Sequence, residues 1–336
     1  MTTVLIAVAL GPVVGFLGLL LALDSFKLVR PKSLAVSIAI GCGAALLARV
    51  INLQLFDALP ISGDALSRYV APVVEESLKA AWPVSLIWRG RTGFVIDAAI
   101  HGFAVGAGFA LAENVDYLLT LGDERLMLWI ARGFGTAILH GATTATFAML
   151  VKSAADRRSS ATVFAAAALV PVVVHSAFNH FVLSPLLSAV VLLASLPLLM
   201  TAVFERTERS TRRWLSSEFD GDLAMLRQIL EGRIEGTSVG LYLESLKKRF
   251  APEIVGDMLC LLHVQLEVSI RAKGILLARE AGFRMPVPDS ARADLKEVEY
   301  LRRQIGRTGL LAMEPMLPRG RRDTWQLAFL EGAAGS

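Results

Sequence analysis

The stretch ALSRYVAPVVEESLKAAWPVSLI (residues 65–87) decides how the rest of the chain is read. It has the length and apolar character of a bilayer crossing, since about 20 helical residues cover about 30 Å of hydrocarbon. Yet Glu75, Glu76 and Lys79 stand close to its midpoint. An ionisable side chain in such a place costs roughly 3 kcal/mol or more unless it faces a polar interior, so it marks a candidate site. On a helix Lys79 is four residues from Glu75 and three from Glu76, so one ammonium can pair with either carboxylate. Gluing helices together needs only one acid. The second is surplus to packing and available for acid–base work.

Six further apolar stretches of crossing length flank this one, near 3–23, 34–55, 93–120, 126–151, 160–183 and 186–204. The 336-residue chain is 54% hydrophobic and only 19% charged, with a mean hydropathy of +0.55. Residues 1–204 hold 13 Lys/Arg and 11 Asp/Glu, leaving 21 and 19 for residues 205–336. A wholly soluble enzyme and a disordered chain are excluded by this composition. The two cysteines, Cys42 and Cys260, lie far apart and form neither a disulfide framework nor a zinc-ribbon spacing. A net charge of +4 gives no sign of a nucleic-acid partner. The expected fold is all-α: a polytopic membrane protein with about seven transmembrane helices, followed by a small helical cytoplasmic domain.

Charge in the connections gives the expected orientation. Lys27, Arg30, Lys32, Arg89, Arg91, Lys152, Arg157, Arg158, Arg206, Arg209, Arg212 and Arg213 lie in one set of connections, against Arg125 alone in the other. By the positive-inside rule the N-terminus is outside and residues 205–336 are cytoplasmic. The expected location is a bacterial-type inner (plasma) membrane. Thr3–Leu23 lacks a basic leader and a small-residue cleavage site, so it reads as a retained first helix. Two domains follow: residues 1–204, with a motif core at about 65–183, and residues 205–336, a helical regulatory or interaction domain that would bind a regulatory protein. In the latter, helices are expected from Asp220 or Asp222 to Glu231, over Leu241–Phe250, from Pro252 to about Ala281, and from Asp289 or Ser290 to Ile305 before Gly306. Ile254, Val255, Met258, Leu259, Leu262 and Leu266 keep helical spacing and call for a packed partner.

The other crossings carry polar residues too. The fourth has Asp97 and His101 four apart, a Gly102/Gly106 face suited to close helix approach, then Glu113-Asn114. Glu113 has no basic neighbour on its own helix, so its partner must come from another. The fifth contains Arg132 and His140, and the sixth His175, Asn179 and His180. A carboxylate base, histidines to orient water and an amide to stabilise an oxyanion are the parts needed for peptide-bond hydrolysis. No HExxH helix, intramembrane GxSG or GxGD motif is present, so a metal site would have to be assembled from several crossings.

Glu75-Glu76-x-x-Lys79, Gly106-x-Gly108-Phe109-Ala110-x-x-Glu113-Asn114, His140 and His175-x-x-x-Asn179 together resemble the PrsW-type intramembrane proteases, relatives of the CAAX prenyl endopeptidase and bacteriocin-processing family. The resemblance covers roughly residues 70–180, and Asp97 and the Arg132…His140 spacing fit it as well. CAAX-type relatives have a histidine where this chain has Glu113, which points to the PrsW branch. The resemblance implies that Glu75 activates water with help from Glu76 or Glu113, that His140 orients the water or base, and that His175 and Asn179 stabilise the oxyanion. Lys79, Asn114, Asp97 and Arg132 are supporting residues. The family is described both as glutamate-type and as metal-dependent, and the carboxylates and imidazoles of this sequence suit either; the preferred reading needs no cofactor. The alternative is a divalent ion such as zinc on Glu76, Glu113, His140 and His175. The implied partner is a membrane-anchored substrate protein in the lipid bilayer, such as an anti-sigma factor or similar signalling protein. The rival readings are a non-catalytic membrane sensor or scaffold and a proton-coupled transporter.

Overall fold

A computed structural model describes residues 7, 11–18, 29–120, 135–157, 159–180, 185–280, 290–317 and the single positions 283, 285, 288 and 330. The chain divides into two compact units, Met1–Thr207 and Glu208–Ser336. Among the described residues the regular structure is helical throughout.

In the first unit, α1 spans Pro31–Ala58, opened by a proline at its first position, where a missing N–H costs nothing. A turn at Gly63–Ala65, capped by the Ser62 hydroxyl, leads through a wider-wound turn at Leu66–Val70 into α2, Ala71–Trp88. Then come α3 (Val95–Thr120), α4 (Ala137–Asp156) and α5 (Ala161–Asn179), and α6 (Pro185–Leu230) begins. Residues 11–18, the described part of the expected first crossing, are helical.

Among the described residues, three helices are long and apolar enough to cross a membrane by length and composition: α1, α3 and α5. Seven transmembrane helices are therefore not shown, and the reasons are local. Most of 3–23 and the start of 126–151 lie outside the described residues. Glu75, Glu76 and Lys79 make α2 too charged to qualify, and 186–204 forms the first part of the 46-residue α6.

α3 is the centre of this unit. In its most apolar window 83% of the residues are buried, against 28% for α1 and 17% for α5, which turn apolar surface outward. Lipid provides no hydrophobic drive for helices to associate, so close backbone approach must supply the contact energy. A methyl group at Gly106 would overlap the His140 carbonyl oxygen, and one at Gly102 the Thr144 carbonyl oxygen, so α3 and α4 meet at the glycine face read from the sequence. The opposite face meets α1, where Gly41 lies against Val105 and Gly108 against Ile38.

The second unit holds the end of α6, then α7 (Ser238–Leu246), α8 (Pro252–Glu280) and α9 (Ser290–Met313). The run from Asp220 to Glu231 is the end of α6 and not a separate helix. Val255 and Met258 of α8 pack in one core with Leu243, Val298, Leu301 and Ile305, which is the partner that the periodicity called for. The regular backbone of α9 breaks at Gly306, as expected, where φ is 68° and ψ 173°, and a second helical stretch follows to Met313. Lys273, fully buried, is neutralised by Asp222 at 2.7 Å, which also accepts a hydrogen bond from Ser269 at 2.7 Å.

Candidate active site

Four helices bring the polar residues of their apolar sequences to one place. On α2, Lys79 is completely buried and its Nζ donates to Glu76 Oε1 at 2.6 Å. The same ammonium lies 2.9 Å from His140 Nδ1 on α4 and 4.6 Å from the centre of the Phe109 ring on α3. An ammonium only donates, so Nδ1 accepts and the ring hydrogen sits on Nε2. That hydrogen is donated to Glu113 Oε2 at 2.9 Å. The partner that Glu113 lacked on its own helix is thus His140, held in register by the Gly106 contact.

His175 on α5 is wired in the opposite sense. Its Nδ1 lies 2.8 Å from Glu76 Oε1, and a carboxylate oxygen can only accept, so Nδ1 carries the hydrogen. Nε2 then presents a lone pair towards Glu75 Oε2, 3.9 Å away. Two acceptors facing each other across that gap need a proton, a water or a cation between them. The His140 and His175 rings meet edge to face, with centres 4.9 Å apart.

Glu75 and Glu113 also line a cavity of about 400 Å³ bounded by α1, α3, the Gly63–Leu66 turn and the start of α2. Asn52 on α1 donates to Glu75 Oε1 at 3.4 Å from the cavity wall. Phe109 and the Arg49–Asp116 ion pair form part of the same wall. Glu76 does not line it. It is buried behind Glu75, between Lys79 and His175.

The remaining residues singled out from sequence are placed elsewhere. The Asn179 amide donates to the Ser67 carbonyl at 2.9 Å in an exposed position. Its neighbour His180 pairs with the Tyr69 hydroxyl at 3.0 Å. Asp97 accepts from the Gly93 and Phe94 amides at 3.0 Å each and so fixes the start of α3. His101 bonds Ser37 at 2.8 Å, and Trp82 donates to the same hydroxyl at 2.9 Å. Asn114 is buried beside Glu113 in sequence, and Arg132 lies outside the described residues. Sequence reasoning missed Asn52, Ser37, Trp82 and the Arg49–Asp116 pair. The only signal for Asn52, Ser37 and Arg49 was a polar residue in the apolar run 34–55.

The donor set can be tested against a metal ion from its own chemistry. Among the described residues, one ligand atom from each of Glu75, His140 and His175 lies within 4.8 Å of the others. Two histidines and a glutamate are a common catalytic zinc set, with bonds of about 2.0–2.2 Å. The facing lone pairs of Glu75 and His175 suit an ion between them, and the Glu76 contact to the far nitrogen of His175 is the outer-shell support such ligands use. His140 completes the set by exchanging one of its two present partners. The residues fit a divalent ion. The set differs from the one expected in the sequence: Glu75 belongs to it, Glu76 stands behind it, and Glu113 is not one of its three donors.

Imidazoles and carboxylates gathered beside a cavity among apolar helices have the make-up of a membrane-embedded hydrolase. A sequence model of the PrsW family intramembrane metalloproteases matches residues 30–204, more than half of the chain, and the chain belongs to that family. No curated protein and no solved structure matches it. Residues 30–204 therefore form an intramembrane protease domain, whose substrates are membrane-embedded proteins.

Proposed function

We propose that this chain hydrolyses a peptide bond of a membrane-anchored protein, with Glu75, His140 and His175 as donors to a divalent ion such as zinc and Glu113 as the proton carrier. The observation that carries this reading is the shared cavity: of the three glutamates, Glu75 and Glu113 line it and Glu76 does not. An ion on that donor set would supply Lewis-acid polarisation of the scissile carbonyl and of water. Glu113 takes one proton from the attacking water. The hydroxide oxygen bonds to the carbonyl carbon, the C–N bond breaks, and the same proton goes to the departing nitrogen. His140, donating to Glu113 Oε2, keeps that carboxylate aimed at the cavity. Lys79 orients the His140 ring and would yield Nδ1 to a bound ion, which leaves the Nε2 hydrogen on Glu113, while Glu76 fixes the ring of His175.

The substrate class, a single-span signalling protein such as an anti-sigma factor, follows from the resemblance. The outside N-terminus and the cytoplasmic placement of residues 205–336 rest on the charge of the connections, and the regulatory role of those residues on their helical, charged sequence. A scaffold or transporter has no need of a three-donor set beside a peptide-sized cavity.

In proteoliposomes with a single-span reporter, Glu113→Gln and Glu75→Gln should each lower cleavage by about 100-fold or more. Bound zinc, measured by elemental analysis, should persist in Glu113→Gln and fall in Glu75→Gln. A chelator should stop wild-type cleavage and added zinc restore it. Unchanged cleavage in both variants would sink the assignment.

A further inference from the structure

Whatever fills the cavity lies against Glu75 and Glu113, so its walls describe the occupant. Apart from the polar residues already named and Tyr117, the lining is apolar, with Leu46, Leu53 and Phe56 from α1. The space is small. A helix with side chains is about 10–12 Å across and rises 5.4 Å per turn, so one turn occupies about 400–600 Å³. A cavity of about 400 Å³ takes a single turn at most. A helical substrate would also keep its scissile carbonyl tied to the amide four residues on. The occupant is therefore a few unwound residues, whose freed N–H and C=O groups need partners where water is scarce. Arg49, Asn52 and Asp116 are within the same wall, and Asn52 Oδ1 is a buried acceptor with no hydrogen-bond partner among the described residues.

Against this apolar lining, three side chains are conspicuously small. Ala45 and Ala48 of α1 face the cavity together with Ala112 of α3, which precedes Glu113 in the chain. They pack around Phe109, the residue under Lys79, so the room they leave adjoins the reacting groups.

Resting on the hydrolytic reading above, we propose that this cavity is the substrate seat. It takes a short unwound apolar stretch of a membrane-anchored chain, and Ala112, with Ala45 and Ala48, makes room for a leucine- or phenylalanine-sized side chain next to the scissile bond. Pocket discrimination by a few methylenes amounts to roughly 10- to 200-fold.

The test uses the full-length protein in proteoliposomes with single-span reporters carrying Ala, Leu or Phe beside the cut. Wild type should cut the Leu and Phe reporters at least about tenfold faster than the Ala reporter. In Ala112→Leu that ratio should collapse by a similar factor. A ratio unchanged by Ala112→Leu, with the wild type active, overturns the seat. A wild type that cuts no reporter overturns the hydrolytic reading itself.

Occupancy can be read without cleavage. In a Glu113→Gln, Cys42→Ser, Cys260→Ser background, Leu53→Cys should form a disulfide with a reporter cysteine near the cut. Val173→Cys, on the exposed face of α5, should not. Equal cross-linking at both positions, or none at residue 53, overturns the seat whatever the cleavage result.

Discussion

Glu76 and Lys79 act from behind the cavity wall. Glu76 Oε1 accepts from both Lys79 and His175, and Lys79 also reaches His140, so one buried ion pair sets the rings of both histidines. Removing one partner of a buried pair leaves an uncompensated charge, at about 3–5 kcal/mol. Lys79→Met should therefore lower the melting temperature in detergent markedly and cut activity by more than about 100-fold. Lys79→Arg should not restore either, because a planar guanidinium cannot occupy an ammonium's place between a carboxylate and an imidazole. Thermal unfolding and reporter cleavage measure both. Much at this level was legible. Charged groups in apolar runs announced themselves by their cost, and Glu113, with no basic neighbour on its helix, needed a partner from another, which is His140. Which of Glu75 and Glu76 faces the cavity was not legible. Adjacent helical residues point about 100° apart, and only packing against α1 and α5 decides which one meets the opening. Asn52 stayed hidden because a single neutral amide in an apolar run gives no hint of its partner.

The α3 helix turns close packing into alignment. Gly106 lets α4 come near enough for His140 to reach Glu113, while Gly108 and Gly41 do the same between α3 and α1. Gly106→Val should push α4 away, lowering stability and abolishing cleavage, whereas Gly43→Val, with nothing near its added side chain, should be tolerated. Parallel measurements of melting temperature and reporter turnover distinguish the two outcomes. The Gly102/Gly106 face could be read from its four-residue spacing. The second face could not, because Gly41 and Gly108 lie on different helices and their pairing depends on tertiary register. In the second unit, helix starts marked by proline or serine were readable, and so was the break at Gly306, where φ is 68° and ψ 173°. The second helical stretch that follows it, with Gly309 and Met313 buried, was not.

The membrane character of residues 1–204 was plain from composition, and the number of crossings was not. Hydropathy registers α1, α3 and α5 but passes over α2, whose charges are satisfied by residues on other helices. Orientation can be checked with the native cysteines, since Cys260 is exposed and Cys42 is half-buried with its thiol near the Gly108 carbonyl. In a Cys42→Ser variant, a membrane-impermeant maleimide should label Cys260 only after spheroplasts are permeabilised. Labelling of intact spheroplasts would reverse the expected topology. The Glu76–Lys79 pair also bears on biogenesis. Its two members are three residues apart, whereas His140 is 61 residues beyond Lys79 and His175 is 99 beyond Glu76. As α2 leaves the ribosome the histidines have yet to be synthesised, but acid and base can already neutralise each other within one turn. The nascent helix therefore brings its own counter-ion to the translocon, and only the charge of Glu75 must be sheltered until the later helices arrive.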